Sequence, residues 1–113
     1  MAQNLSGAFL SITNNNDLTK SELKKAIARG LEAIGLAAEA HAKAKCPVDT
    51  GNLRNSITHT HDKDAAYIGT NMEYAPYVEL GTSRTREHPF LRPAATGHSG
   101  EYKAIMKDAL NNG

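Results

Sequence analysis

Residues 17–47 read DLTKSELKKAIARGLEAIGLAAEAHAKAKCP, and the period of this stretch decides the fold. Asp17 and Thr19 are both capable N-caps, and Thr19 followed by Glu22 makes a capping box. Leu23, Ile27, Leu31, Ile34, Ala38 and His41 then recur at steps of three and four, the stripe of one helix face. Glu22, Lys25, Arg29, Glu32, Glu39 and Lys43 occupy the opposite face, with Glu39 and Lys43 spaced for an i,i+4 pair. The pattern predicts a helix over 18–45. Gly30 and Gly35 each cost about 1 kcal/mol relative to Ala in such a helix, which points to a close packing contact. Leu36 falls on the charged face and is a candidate partner contact. Pro47 ends the helix, because a residue before proline is pushed out of the helical region.

Downstream the period changes. Asp49-Thr50-Gly51 reads as a turn. Leu53 to Thr60 alternates, with Leu53 and Ile57 on one face, and reads as a strand. His61-Asp62-Lys63-Asp64 is a polar loop, and Ala65 to Thr70 is the second arm of a β-hairpin. Glu73 to Leu80 is a short helix with Pro76 in its first turn, Tyr74, Tyr77 and Val78 on one side, and Gly81 at its end. Residues 82–88 form a polar, basic loop, and Pro89 to Pro93 is apolar and stiff. Tyr102 to Leu110 makes the last helix, with Tyr102, Ile105, Met106 and Ala109 inward. Upstream, the apolar patch Ala8 to Ile12 is an edge strand or an arm. The expected architecture is α+β: a long N-terminal amphipathic helix on a small antiparallel sheet built round a β-hairpin, with a short middle helix and a C-terminal helix. Residues 1–16 are an N-terminal arm or edge strand, and 17–113 a single domain.

Composition narrows the class. The chain has 113 residues and a net charge of +1, which argues against coating nucleic acid or an anionic membrane. Split by region, residues 1–45 carry +2, residues 46–81 carry −3 and residues 82–113 carry +2. An acidic middle between basic ends suits docking on a copy of itself. The start has neither the basic flank nor the apolar run of a signal peptide, so synthesis and use inside the cell are expected. The lone Cys46 excludes an intrachain disulfide.

Few residues suggest chemistry. Asp49-Thr50-Gly51 is the triplet of retroviral-type aspartic proteases, which dimerise so that two such Asp residues share a proton. That chemistry needs the triplet at the end of a buried strand, and here a long helix precedes it. His59 and His61 share a strand face, as a metal pair would, but no third ligand stands at a telling interval, so solvated histidines are expected. His41 can face Cys46, without an orienting group for a nucleophile pair. Arg84, Arg86, His88 and Arg92 gather positive charge. No recognition helix or stacking platform accompanies them, so a carboxylate-bearing partner fits better than a nucleic acid. No enzyme activity, cofactor or metal is expected.

Three segments together resemble one family. Cys46-Pro-Val-Asp-Thr-Gly-Asn-Leu-Arg-Asn-Ser-Ile57, Tyr74-Ala-Pro-Tyr-Val-Glu-Leu-Gly-Thr82 and His88-Pro-Phe-Leu-Arg-Pro-Ala94 follow a long amphipathic helix in that order. This is similar to the small neck and tail-component proteins of long-tailed bacteriophages, and the resemblance spans about residues 18–110. It implies a structural virion protein at the neck or tail junction, made in the host bacterial cytoplasm. By analogy with other neck proteins it implies a ring, sixfold, between head-closure (connector) and tail-terminator proteins. DNA would pass through the ring without specific recognition, and no membrane is involved.

The motif residues Pro47, Asp49, Thr50, Gly51, Leu53, Tyr74, Pro76, Tyr77, Glu79, Gly81, Thr82, Pro89, Phe90, Leu91, Arg92 and Pro93 are read as structural. Tyr74 and Tyr77 are expected to bury their rings, Gly81 to take a left-handed turn, and Pro89 and Pro93 to stiffen the Phe90–Leu91 anchor. The candidate inter-subunit contacts are Leu36, Glu73, Glu79, Arg84 and Arg86, with the acidic middle of one protomer facing the basic loop of the next. The alternatives are a dimeric Asp-Thr-Gly aspartic protease and a small nucleic-acid-binding module.

Overall fold

The computed structural model describes residues 2–4, 19–47, 52–84 and 86–111. Its elements run β1 (Ala2–Asn4), α1 (Lys20–Lys45), α2 (Asn52–Ser56), β2 (Thr58–His61), β3 (Ala66–Gly69), α3 (Ala75–Leu80), α4 (Leu91–Thr96) and α5 (Ser99–Asn111). The architecture is α+β, with α1 packed along α5 on one flank and against the sheet on the other.

Thr19 caps α1: its Oγ1 accepts the Glu22 N–H at 3.1 Å, the first half of the capping box read from sequence. Ala26, Gly30, Leu31, Ile34, Gly35, Ala38 and Ala42 are the buried residues of α1, while Leu23 and Ile27 near its start are only half-buried. The two glycines sit where neighbours come closest. A Cβ on Gly30 would lie 2.5 Å from Met106 Sδ on α5, and one on Gly35 would lie 2.8 Å from Cδ2 of His59 on β2. Each glycine thus marks one of the two surfaces that α1 covers.

The segment after Pro47 differs from the sequence reading. Residues 52–56 form a short helix, and the strand begins only at Thr58. Leu53 and Ile57 are both buried. Their separation of four keeps them on one face of either a helix or a strand, so periodicity does not discriminate. Ser56 Oγ donates to the Leu53 carbonyl at 2.6 Å and closes the turn.

β3 is the central strand of an antiparallel sheet of order β1-β3-β2, with His59 opposite Ile68 on one edge and Gln3 opposite Ile68 on the other. Ala2–Asn4 is therefore an edge strand, whereas the apolar patch at 8–12 lies outside the described residues. The hairpin turn is set by Asp62, whose Oδ1 accepts the N–H groups of Asp64 and Ala65, both at 2.8 Å. Large side chains from the helices and the sheet meet to fill the core: Leu31, Ile34, Ile57, Ile68, Phe90, Leu91, Tyr102 and Met106.

Candidate functional site

The region from Tyr74 to Arg92 combines an inner face locked by hydrogen bonds with an outer face of exposed apolar and basic side chains. Pro76 sits in the first turn of α3, where its missing N–H costs nothing, and Gly81 ends the helix at φ 76°. Between them Glu79 turns inward and is 2% exposed. Its Oε1 accepts the N–H groups of Phe90 at 3.0 Å and Leu91 at 2.9 Å, and its Oε2 accepts that of Arg92 at 3.2 Å. These are donors at the start of α4 that have no partner within the helix. One carboxylate therefore ties α3 to α4 across the intervening loop, assisted by the His88 N–H donating to the Val78 carbonyl at 2.8 Å.

This alters the reading of several candidate contacts. The sequence reading puts Glu79 at an inter-subunit contact, but its carboxylate is engaged inside its own chain. The same reading buries the rings of Tyr74 and Tyr77, yet they are 39% and 62% exposed. The residues of α3 that are buried instead are Ala75 and Glu79, because the carboxylate needs the inward face. Leu80 is also exposed, at 58%, as is Leu36 at 57% on the outer face of α1. Glu73, Thr82, Arg84, Arg86 and Arg92 are exposed, Pro76, Pro89 and Pro93 are half-buried, and Phe90 and Leu91 are wholly buried. Pro47 is half-buried at the end of α1 and Leu53 is buried in α2. Asp49, Thr50 and Gly51, and with them the protease triplet, lie outside the described residues.

The histidines are not free in solvent. His59 is held between two helical carboxylates: Nδ1–H donates to Glu39 at 2.9 Å and Nε2–H to Glu32 at 2.8 Å. Both ring nitrogens face acceptors, which is the arrangement of an imidazolium. Burial pulls its pKa down, but the hydrogen bonds and charges of Glu32 and Glu39 outweigh burial and leave it raised. Lys43 completes the cluster by donating to Glu39 at 3.1 Å, the i,i+4 pair expected from sequence.

His41 does not face Cys46. Its ring stacks on His98 with centroids 3.6 Å apart and planes within 6°, and its Nε2 lies 2.8 and 3.0 Å from the two Glu101 oxygens. Beneath them, Tyr102 donates its buried hydroxyl to the Ala94 carbonyl, and burial, aided by the nearby Glu101 charge, pushes its pKa up to about 12. Sequence reasoning missed His98 and Glu101. Their spacing of three, at the start of a helix, is the signal that places them on one face.

Comparison with known proteins supplies the class. A family model described as "Bacteriophage HK97-gp10, putative tail-component" matches residues 12–81, well over half of the chain. The protein belongs to this family. Two of the three motif segments fall largely inside the matched range, and His88 to Ala94 lies beyond it, joined to the second segment by the Glu79 hydrogen bonds. Searches of curated proteins and of solved structures found no match. Membership of the tail-component family makes this a structural protein of the bacteriophage virion. Among the described residues no helix is long and apolar enough to cross a membrane.

Proposed function

We propose that the protein is a neck or tail-completion component that acts as a ring, with head-closure and tail-terminator proteins on its two sides. The observation that carries this reading is the outer face of α3. Tyr77 and Leu80 are both more than half exposed on a helix whose other side is fixed by the buried Glu79. A rigid helix presenting an aromatic and a leucine to solvent favours a protein partner, since large anchors of this kind supply much of the energy at interface centres. The exposed Arg84 and Arg86 beside it provide a charged rim, with the exposed Glu73 as the acidic counterpart on the neighbouring protomer. Contacts of this kind are heterologous, one face meeting a different face, and close into a ring when the rotation permits.

Electron microscopy of the purified protein, and of virions, tests the proposal. Rings in either sample support it. Virions that join heads to tails and infect without this protein overturn it. Charge reversal at Arg84 and Arg86 that leaves assembly intact removes the specific form in which the basic loop meets Glu73.

A further inference from the structure

We propose that His41, His98 and Glu101 form a binding site for a first-row divalent cation of the Zn2+ class, clasping α5 to α1. Among the described residues this is the group of three metal-ligating side chains whose donor atoms, one per residue, all lie within 4.8 Å of one another. His41 comes from the C-terminal half of the long helix, His98 from the turn between α4 and α5, and Glu101 from the first turn of α5. His41 and Glu101 stand 60 residues apart in the chain, so the ligands come from both sides of the α1–α5 seam.

The donor set selects the cation. Two imidazoles and one carboxylate suit Zn2+ and its neighbours, whereas Mg2+ and Ca2+ prefer oxygen ligands throughout. Three protein ligands leave one tetrahedral position to water. Solvent reaches that position, since the side chains of His41 and Glu101 are 31% and 41% exposed.

Binding requires one pair to open and one ring to turn. The ion enters between His41 Nε2 and the Glu101 carboxylate, now 2.8 Å apart, and displaces the proton they share to solvent. Ligand atoms about a tetrahedral zinc stand somewhat wider than that, so the pair opens slightly. His98 has to leave its parallel stack on His41, because stacked rings aim their lone pairs side by side instead of at one point. A half-buried ring at the edge of a helix can make that rotation. The other histidine cluster does not compete: among the described residues, His59 belongs to no group of three such side chains whose donor atoms, one per residue, converge within 4.8 Å.

The test is calorimetric titration of the full, tag-free chain with ZnCl2, together with the visible spectrum on adding Co2+. One saturable ion per chain and a tetrahedral Co2+ spectrum are expected, with a melting temperature that rises on adding Zn2+ and returns with a chelator. His98→Ala and Glu101→Gln should each weaken Zn2+ binding by roughly tenfold or more. Glu101 is exposed and His98 half-buried outside the core, so both variants keep the fold, which metal-free melting checks. His88→Ala, at an exposed position outside the cluster, should bind as the parent does. No saturable binding by the parent overturns the proposal, as does unchanged binding in both His98→Ala and Glu101→Gln.

Discussion

The Glu79 carboxylate accepts the backbone N–H of Leu91 at 2.9 Å, and this bond joins two sequence motifs across a separation of twelve residues. It also decides which way α3 faces. With Glu79 inward, Tyr77 and Leu80 must point out.

Glu79→Ala should therefore be among the most damaging single changes. It strips an acceptor from Phe90 and Leu91, whose N–H groups are buried, and from Arg92. Leaving a buried donor unpaired costs about 1–3 kcal/mol, so a loss of ~3 kcal/mol or more is expected. For a domain of this size that lowers the melting temperature by more than ~10 °C. Glu79→Gln keeps one carbonyl oxygen and should lose about half as much. Chemical denaturation of both variants checks the order, and equal stability of Glu79→Ala and the parent contradicts it.

The helical glycines Gly30, Gly35 and Gly100 should respond differently to alanine. Gly100 has open space around a new Cβ, so Gly100→Ala should stabilise by up to ~1 kcal/mol. At Gly30 the nearest atoms in the way are the flexible end of Met106, which can swing, and the propensity gain roughly offsets the repacking. At Gly35 the obstacle is the His59 ring, pinned between Glu32 and Glu39, so Gly35→Ala should destabilise by ~1–3 kcal/mol. Denaturation midpoints that fail to follow this order would show that the His59 clamp yields.

The same clamp predicts a pH dependence. His59 has a folded pKa raised above its ordinary 6.5, so its stabilising contribution is full below 6.5 and is lost as pH rises through the folded value. Glu39 is lowered from 4.5: burial opposes the shift, and hydrogen bonds from His59 and Lys43 overcome it. Its contribution is present above 4.5 and disappears as pH falls through the folded value. The cluster, which also includes Glu32, Lys43 and the nearby His61, is therefore strongest between about pH 4.5 and 6.5. Urea midpoints should fall from about pH 6 to about pH 8 in the parent, and the fall should flatten in His59→Gln. An identical slope in the two proteins would assign it elsewhere.

How much of this is legible in the sequence depends on the range over which each signal acts. The helix over Lys20–Lys45 is set by a repeat within its own residues, and the hairpin by Asp62 and its neighbours, so both can be read locally. The helical turn at Asn52–Ser56 cannot, since Leu53 and Ile57 satisfy either period. The partners of Glu79, His59 and His41 are hidden for another reason. Each meets a group 11 to 60 residues away, and the pairing exists only once the helices and the sheet have packed. The glycines at 30 and 35 do announce a close approach, without saying to what.

The outer face of α3 offers the sharpest separation of folding from assembly. Tyr77 and Leu80 lie outside the core, so the double variant Tyr77→Ser/Leu80→Ser should change stability by no more than ~1 kcal/mol. If the proposed ring uses this face, the same variant should lose two large apolar anchors at the interface and stay unassembled at concentrations where the parent forms rings. A phage carrying it should accumulate unjoined heads and tails, although the protein is made and folded. Light scattering of the purified variant, with complementation of a phage lacking the parent gene, measures both. A variant that folds, forms rings and restores infection would exclude α3 as the contact and leave the exposed Leu36 on the outer face of α1 as the candidate.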